Sequence, residues 1–141
     1  AKSYMDKGHL VPDEVTISML NLEVDKNADA NGFIFDGFPR TGAQAEALAN
    51  LMTKKNSQIN GMVALEVDDE VLVERLLERG KSSGRPDDAN ETVIRERIAE
   101  YYRKTDILKE YYQAQNKYYG VDGVGSIKEI TERLSKVINT L

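Results

Sequence analysis

The sequence predicts an α/β fold built on a parallel sheet. Short apolar runs alternate along the chain with longer segments of helical periodicity, the pattern of strand–helix–strand units. Two of the runs, Gly32–Asp36 (GFIFD) and Met62–Val67 (MVALEV), are apolar on both faces, as buried parallel strands are. A third, Lys117–Val121 (KYYGV), reads as a further strand.

The helices follow in order. Asp13–Val24 carries Val15, Met19 and Leu22 at the i, i+4, i+7 spacing of one helical face. Thr41–Lys55 opens with T-x-x-Q, a capping-box pattern, and should bury Ala45, Leu48 and Met52. Asp69–Arg79 follows the second strand and should stop at Gly80, since glycine commonly ends helices. A long helix over Asn90–Gln115 aligns Ile94, Ile98, Tyr101, Thr105, Leu108 and Tyr112 on one stripe. The last begins at Ser126 with Glu129 three residues on, and should bury Ile130, Leu134, Val137 and Leu141. Gly80–Asp88 (GKSSGRPDD) and Asp122–Gly125 (DGVG) are the two conspicuous loops. The chain contains no internal repeat or low-complexity linker, and its 141 residues read as one domain.

Composition narrows the chemistry. Hydrophobic residues make up 40% and charged residues 30%, the balance of a soluble globular protein. No apolar run approaches the roughly 18 residues of a membrane span, and nothing reads as a secretory signal. The chain opens on Ala1 rather than Met, so that second test carries little weight. With no cysteine there is no disulfide framework and no thiolate zinc site, and the single histidine, His9, builds no metal cluster alone. A cytoplasmic location is the default expectation. A net charge of −5 argues against general nucleic-acid binding, which needs a basic face. Five of the eight arginines, Arg75, Arg79, Arg85, Arg95 and Arg97, nevertheless fall within 23 residues. One concentrated arginine segment in an acidic chain suits a small polyanion.

The most specific segment is Asp36–Thr41, DGFPRT, directly after a buried run. Ligands in open α/β sheets sit beyond the carboxyl ends of strands. There Asp36 is placed to hold Mg²⁺ through its water shell, and Gly37 allows close approach to the backbone. Pro39 fixes the chain before Arg40, whose planar fork suits phosphate oxygens. Gln44 can hydrogen-bond a base edge. A plainer alternative is a strand, a Gly-Pro turn and a helix cap, with Gln44 only closing the capping box.

Arg75 and Arg79 lie four residues apart on one helical face, beside Glu74 and Glu78. They make either a solvated, salt-bridged surface or part of an anion site. Arg85 and Arg97 follow, with Asp87 and Asp88 beside the former. A short polar loop flanked by arginines can fold over phosphates and exclude water, and phosphoryl transfer depends on positioned charge. Gly80-Lys81-Ser82 imitates the end of a P-loop but is not one. Position 75 is Arg where the motif needs its first glycine, and the segment follows a helix rather than a strand. Tyr101, Tyr102, Tyr111, Tyr112, Tyr118 and Tyr119 read as packing residues, His9 as a loop residue, and Lys54-Lys55 as a solvated helix end.

Together these segments resemble the adenylate kinase family of nucleoside monophosphate kinases, in the family's order and over nearly all 141 residues. GHLVPDEV (Gly8–Val15) resembles the loop that closes on AMP, DGFPRTGAQA the family's most recognisable signature, and VERLLERG the helix whose two arginines face ATP. SGRPDDANETVIRERI resembles the hinge and lid segment, and Val121–Ser126 the loop whose backbone touches the ATP adenine. Between Arg85 and Arg97 there is one residue more than many relatives have. Arg97, rather than Arg95, is equated with the family's lid arginine from the register of the following I-A-E-Y-Y.

The resemblance implies a P-loop NTPase-like, three-layer α/β/α fold. Residues 1–24 would be part of the AMP-binding region, 80–88 a short lid loop, and the remainder core. It implies ATP, AMP and ADP as partners, Mg²⁺ with ATP, and no zinc in a lid without cysteines. His9, Leu10, Val11, Gly37, Phe38, Arg40 and Gln44 would meet AMP. Arg75, Arg79, Val124 and Gly125 would meet ATP. Arg40, Arg79, Arg85, Arg97 and Asp36 would serve catalysis, with Asp87 and Asp88 orienting the arginines and no direct protein–metal bond. Thr41 and Gln44 fit an adenylate acceptor better than uridylate or cytidylate, which is the first alternative. A non-catalytic nucleotide-binding or interaction fragment is the second. In the family a strand, the P-loop with its lysine, a helix and an AMP-phosphate arginine come first, and none of these lies within the present residues. Without that strand, which sits between Gly32–Asp36 and Met62–Val67, the sheet would keep unpaired backbone and an exposed apolar face. The parent is expected to be a monomer. The 141 residues alone are expected to be inactive, and to associate through the open sheet edge.

Overall fold

The computed structural model describes residues 2–5, 11–85, 88 and 90–141. The order is α1 (Lys2–Met5), α2 (Asp13–Lys26), α3 (Gly42–Lys54), β1 (Met62–Glu66), α4 (Asp69–Ser83), α5 (Glu91–Gln113), β2 (Tyr118–Asp122) and α6 (Ile127–Ile138). The α/β class and the parallel sheet are as expected: β1 and β2 pair in parallel, Met62 opposite Tyr118 through Glu66 opposite Asp122. The chain divides into two compact units, residues 1–59 and 60–141, each described by itself. No described helix is long and apolar enough to cross a membrane.

In the first unit α2 packs on α3. Thr41 caps α3, its hydroxyl accepting the Gln44 N–H at 3.2 Å. As its spacing demands, α3 buries Ala45, Leu48 and Met52, and Leu51 with them. The face of α2 differs from expectation. Met19 and Leu22 are 48% and 58% exposed, while Val24 is buried on Leu48, Leu51 and Met52 with Leu20 beside it. Apolar residues on α2 are numerous enough to draw two stripes, and contact with α3 selects the one through Leu20 and Val24. Lys55 and Asp25 add an ion pair between the helix ends.

Gly32–Asp36 is not a strand. A strand exists only where a neighbour pairs its N–H and C=O groups, and the described part of this unit contains no other strand. Phe35 still packs on the α2–α3 core, but Ile34 is 80% exposed.

In the second unit α4 packs on α5, and both α5 and α6 lie against the sheet. Val73, Ile94 and Ile98 form the centre, flanked by Leu72, Leu76, Leu77 and Tyr102. The α5 stripe follows its sequence pattern with one exchange. Tyr101 is exposed and Tyr102 takes the inward place, donating its hydroxyl to Asp69 at 2.7 Å. From Ile98 the helical step of four leads to Tyr102 rather than Tyr101. The capping box at Ser126 and Glu129 forms as expected, yet α6 buries no residue fully. Ile130, Leu134 and Val137 are half-covered and Leu141 is exposed. A two-stranded sheet offers too little surface to cover that face, and Leu65 of β1 stays exposed for the same reason.

Candidate active site

In the first unit the DGFPRT loop turns on Gly37, whose φ of +73° favours glycine. Phe38 anchors the loop on the α2–α3 core. Arg40 is tied twice: its backbone N–H donates to Gln44 Oε1 at 2.8 Å, and its Nε donates to the Gly37 carbonyl at 2.8 Å. The guanidinium is thereby aimed by its own loop while remaining exposed, with no carboxylate partner among the described residues. A second bond holds Gln44, whose Nε2 donates to Asp13 Oδ1 at 2.7 Å. Sequence reasoning missed Asp13 here, because nothing in a chain separation of 31 residues announces the contact. Gln44 therefore does not close a capping box on Thr41, since its oxygen takes the Arg40 N–H instead. Asp36 is exposed and has no hydrogen-bond or ion-pair partner among the described residues. Val11 is half-buried, while His9 and Leu10 lie outside the described residues.

The second unit centres on Asp88. Its carboxylate is fully buried and bridges two helices. Oδ2 accepts from Arg79 Nε at 2.7 Å and lies 2.6 Å from Nη2, and Oδ1 accepts from Arg97 Nη1 at 2.7 Å. Burial alone would push the Asp88 carboxyl up, but the hydrogen bonds and charges of Arg79 and Arg97 outweigh it and hold the group below the usual carboxylate range. Both arginine side chains keep solvent exposure, 46% for Arg79 and 41% for Arg97. They are positioned from the inside and presented to the outside.

Backbone packing makes this bridge. The helix α4 does not stop at Gly80 but runs to Ser83, ending on Gly84 in the left-handed conformation, φ +66°. Gly80 serves a different purpose. A Cβ there would stand 2.8 Å from the Asp88 carbonyl carbon, so glycine lets the loop fold back onto the helix. The Asp88 N–H closes that turn onto the Arg85 carbonyl at 3.1 Å. Asp87 lies outside the described residues.

Arg95 goes elsewhere, pairing with Glu70 at 3.1 Å and Glu91 at 3.0 Å on the surface. These carboxylates raise its already high pKa. The structure thus brings Arg97, not Arg95, to Arg79. Arg75, one turn before Arg79, donates from Nη1 to the Gly123 carbonyl at 2.8 Å, which ties α4 to the loop containing Val124 and Gly125. Among the described residues no three His, Asp or Glu side chains gather to ligate a metal.

Exposed arginines aimed by backbone and buried carboxylate contacts suit phosphate groups, and comparison with known proteins points the same way. The family model described as adenylate kinase matches residues 1–117. The chain is 57% identical to an adenylate kinase of Flavobacterium psychrophilum over 141 residues, covering all of this chain and 74% of that protein. It is 44% identical to one from Bacteroides fragilis over 141 residues, with the same shares covered, and 43% identical to one from a Synechococcus over 138 residues, covering 98% of this chain and 71% of the relative. These matches favour neither a uridylate or cytidylate kinase nor a non-catalytic nucleotide-binding or interaction fragment. A model match over most of its length, and close relatives along all of it, show that this chain belongs to the adenylate kinase family.

Proposed function

We propose that these residues serve an intact enzyme that catalyses reversible phosphoryl transfer between ATP and AMP, giving two ADP, in the cytoplasm, the 141 residues by themselves being inactive. The observation that carries the reading is the convergence of Arg79 and Arg97 on buried Asp88. Transfer of a phosphoryl group needs fixed positive charge around three equatorial oxygens and little covalent chemistry from the protein. A buried carboxylate that holds two guanidinium groups in place removes the reorganisation such charges would otherwise undergo during reaction.

In this reading Arg40 grips the AMP phosphate, with Gly37, Phe38 and the His9–Val11 stretch beside the nucleotide. Gln44 meets the adenine edge through the amide N–H that Asp13 does not take. Arg75, Val124 and Gly125 meet the adenine of ATP, while Arg79, Arg85 and Arg97 meet its phosphates. Asp87 and Asp88 orient these arginines, and the 80–88 segment closes over the site to exclude water. The exposed Asp36 carboxylate, without a partner among the described residues, is a hard oxygen donor that fits Mg²⁺ through its water shell. Bound with ATP, that ion would spread the negative charge of the phosphates. The protein's own part is to orient the acceptor phosphate and keep bulk water out. The enzyme is proposed to work as a monomer.

Arg40→Ala provides the test. It should raise KM for AMP by on the order of 100-fold, as loss of a charged phosphate grip does, and leave KM for ATP nearly unchanged. Unaltered AMP kinetics in that variant would contradict the assignment.

A further inference from the structure

The segment Asp122–Gly125, from the last residue of β2 toward α6, is short, contains two glycines, and would be free to turn its peptide groups without outside ties. Three of its carbonyls are nevertheless fixed by arginines. Arg75 takes the Gly123 carbonyl at 2.8 Å from the α4 side. From α6, Arg133 Nη1 donates to both the Asp122 carbonyl at 2.9 Å and the Val124 carbonyl at 2.6 Å. The Asp122 carboxylate completes the arrangement, with Oδ1 accepting the Val124 N–H at 2.9 Å and Oδ2 lying 3.8 Å from Arg133 Nη1. Of the four carbonyls from Asp122 to Gly125, only that of Gly125 has no hydrogen-bond partner among the described residues. Gly125 itself sits at φ +136° against the same side chain, and a Cβ on it would stand 3.3 Å from Arg133 Nη2 and 2.8 Å from Glu129 Oε2.

We propose that Arg133 is a positioning residue for the ATP base. By holding the Asp122 and Val124 carbonyls together, it fixes the Val124–Gly125 peptide in the orientation that the base meets. Sequence reading gave Arg133 no role. The inference rests on the assignment of Val124 and Gly125 to ATP. A guanidinium differs from a simple cation here because, while Nη1 reaches both carbonyls, the rest of the plane packs against Gly125. Lysine, a single point charge on a flexible stem, would restore the charge without the plane.

Initial-rate kinetics of the intact enzyme, with ATP and AMP varied separately, test this on Arg133→Ala, Arg133→Lys and Gly125→Val, with thermal unfolding recorded for each. Arg133→Ala should raise KM for ATP about tenfold, leaving kcat and KM for AMP within about twofold, and Arg133→Lys should fall between it and the parent. Were the arginine purely stabilising, Arg133→Ala would instead lower the melting temperature and leave KM for ATP unmoved. If Gly125→Val raises KM for ATP while both Arg133 variants match the parent, the positioning role is overturned and the loop assignment stands. If neither position affects ATP, the loop assignment fails and the inference falls with it. Should Arg133→Ala not fold, the Arg133→Lys result decides alone, and an ATP KM equal to the parent's would overturn the proposal.

Discussion

Gly80 lies against the backbone of Asp88 with no room for a side chain between them: a Cβ would approach the Asp88 carbonyl carbon to 2.8 Å. The contact explains a glycine in the interior of a helix, where it normally costs about 1 kcal/mol against alanine. It also places the Asp88 carboxylate between Arg79 and Arg97.

Gly80→Ala should therefore reverse the usual helix preference. In place of a gain, the overpacked contact should cost roughly 1–3 kcal/mol and impair turnover, as Asp88 is pushed from its two arginines. Gly84→Ala strains the left-handed helix end by about 1–2 kcal/mol but leaves the Asp88 bridge alone, so its loss should appear in stability only. Urea denaturation alongside steady-state rates separates the two.

Asp88 also sets a pH dependence. Its folded pKa lies below the ordinary aspartate value of 3.8, so the stability it contributes is fully present above about pH 4 and is lost as pH falls through the lower, folded value. Asp88→Asn should remove this dependence. The variant's unfolding free energy should fall less steeply than the parent's below pH 4, while at neutral pH it is the less stable of the two. Parallel acid limbs in the two proteins would contradict the account.

The capping box of α6 gives a local prediction. Ser126 Oγ accepts the Glu129 N–H at 3.2 Å and Glu129 Oε2 accepts the Ser126 N–H at 2.7 Å. That backbone bond, first among its causes, lowers the Glu129 pKa. Ser126→Ala should cost about 1 kcal/mol, visible as a shift in the urea midpoint without a change in slope.

Much of the fold is legible because periodicity and caps are local. Thr41 and Ser126 cap where their spacing says they do, and Leu48, Ile94, Ile98, Leu108 and Tyr112 are buried on the expected faces. The failures share one cause, a partner that the local pattern does not contain. Gly80 looks like a helix stop until the returning backbone at Asp88 is seen. Gly32–Asp36 has a strand's composition but no strand to pair with among the described residues of its unit. Arg95 and Arg97 are two residues apart and chemically identical. Only the fold sends one to Glu70 and Glu91 and the other to Asp88. The contact between Asp13 and Gln44 is equally invisible, since each residue has a sufficient local reading of its own.

The most direct measurement is the rate of ADP formation from ATP and AMP in Arg97→Ala beside Arg95→Ala, both in the intact enzyme. Loss of Arg97, which Asp88 holds and which is proposed to meet the ATP phosphates, should lower kcat by on the order of 100-fold or more. Loss of the surface pairs of Arg95, which solvent screens, should leave turnover close to the parent's. The opposite order, with Arg95→Ala crippled and Arg97→Ala active, would show that the Asp88 bridge is structural and that the transferring phosphoryl is stabilised elsewhere.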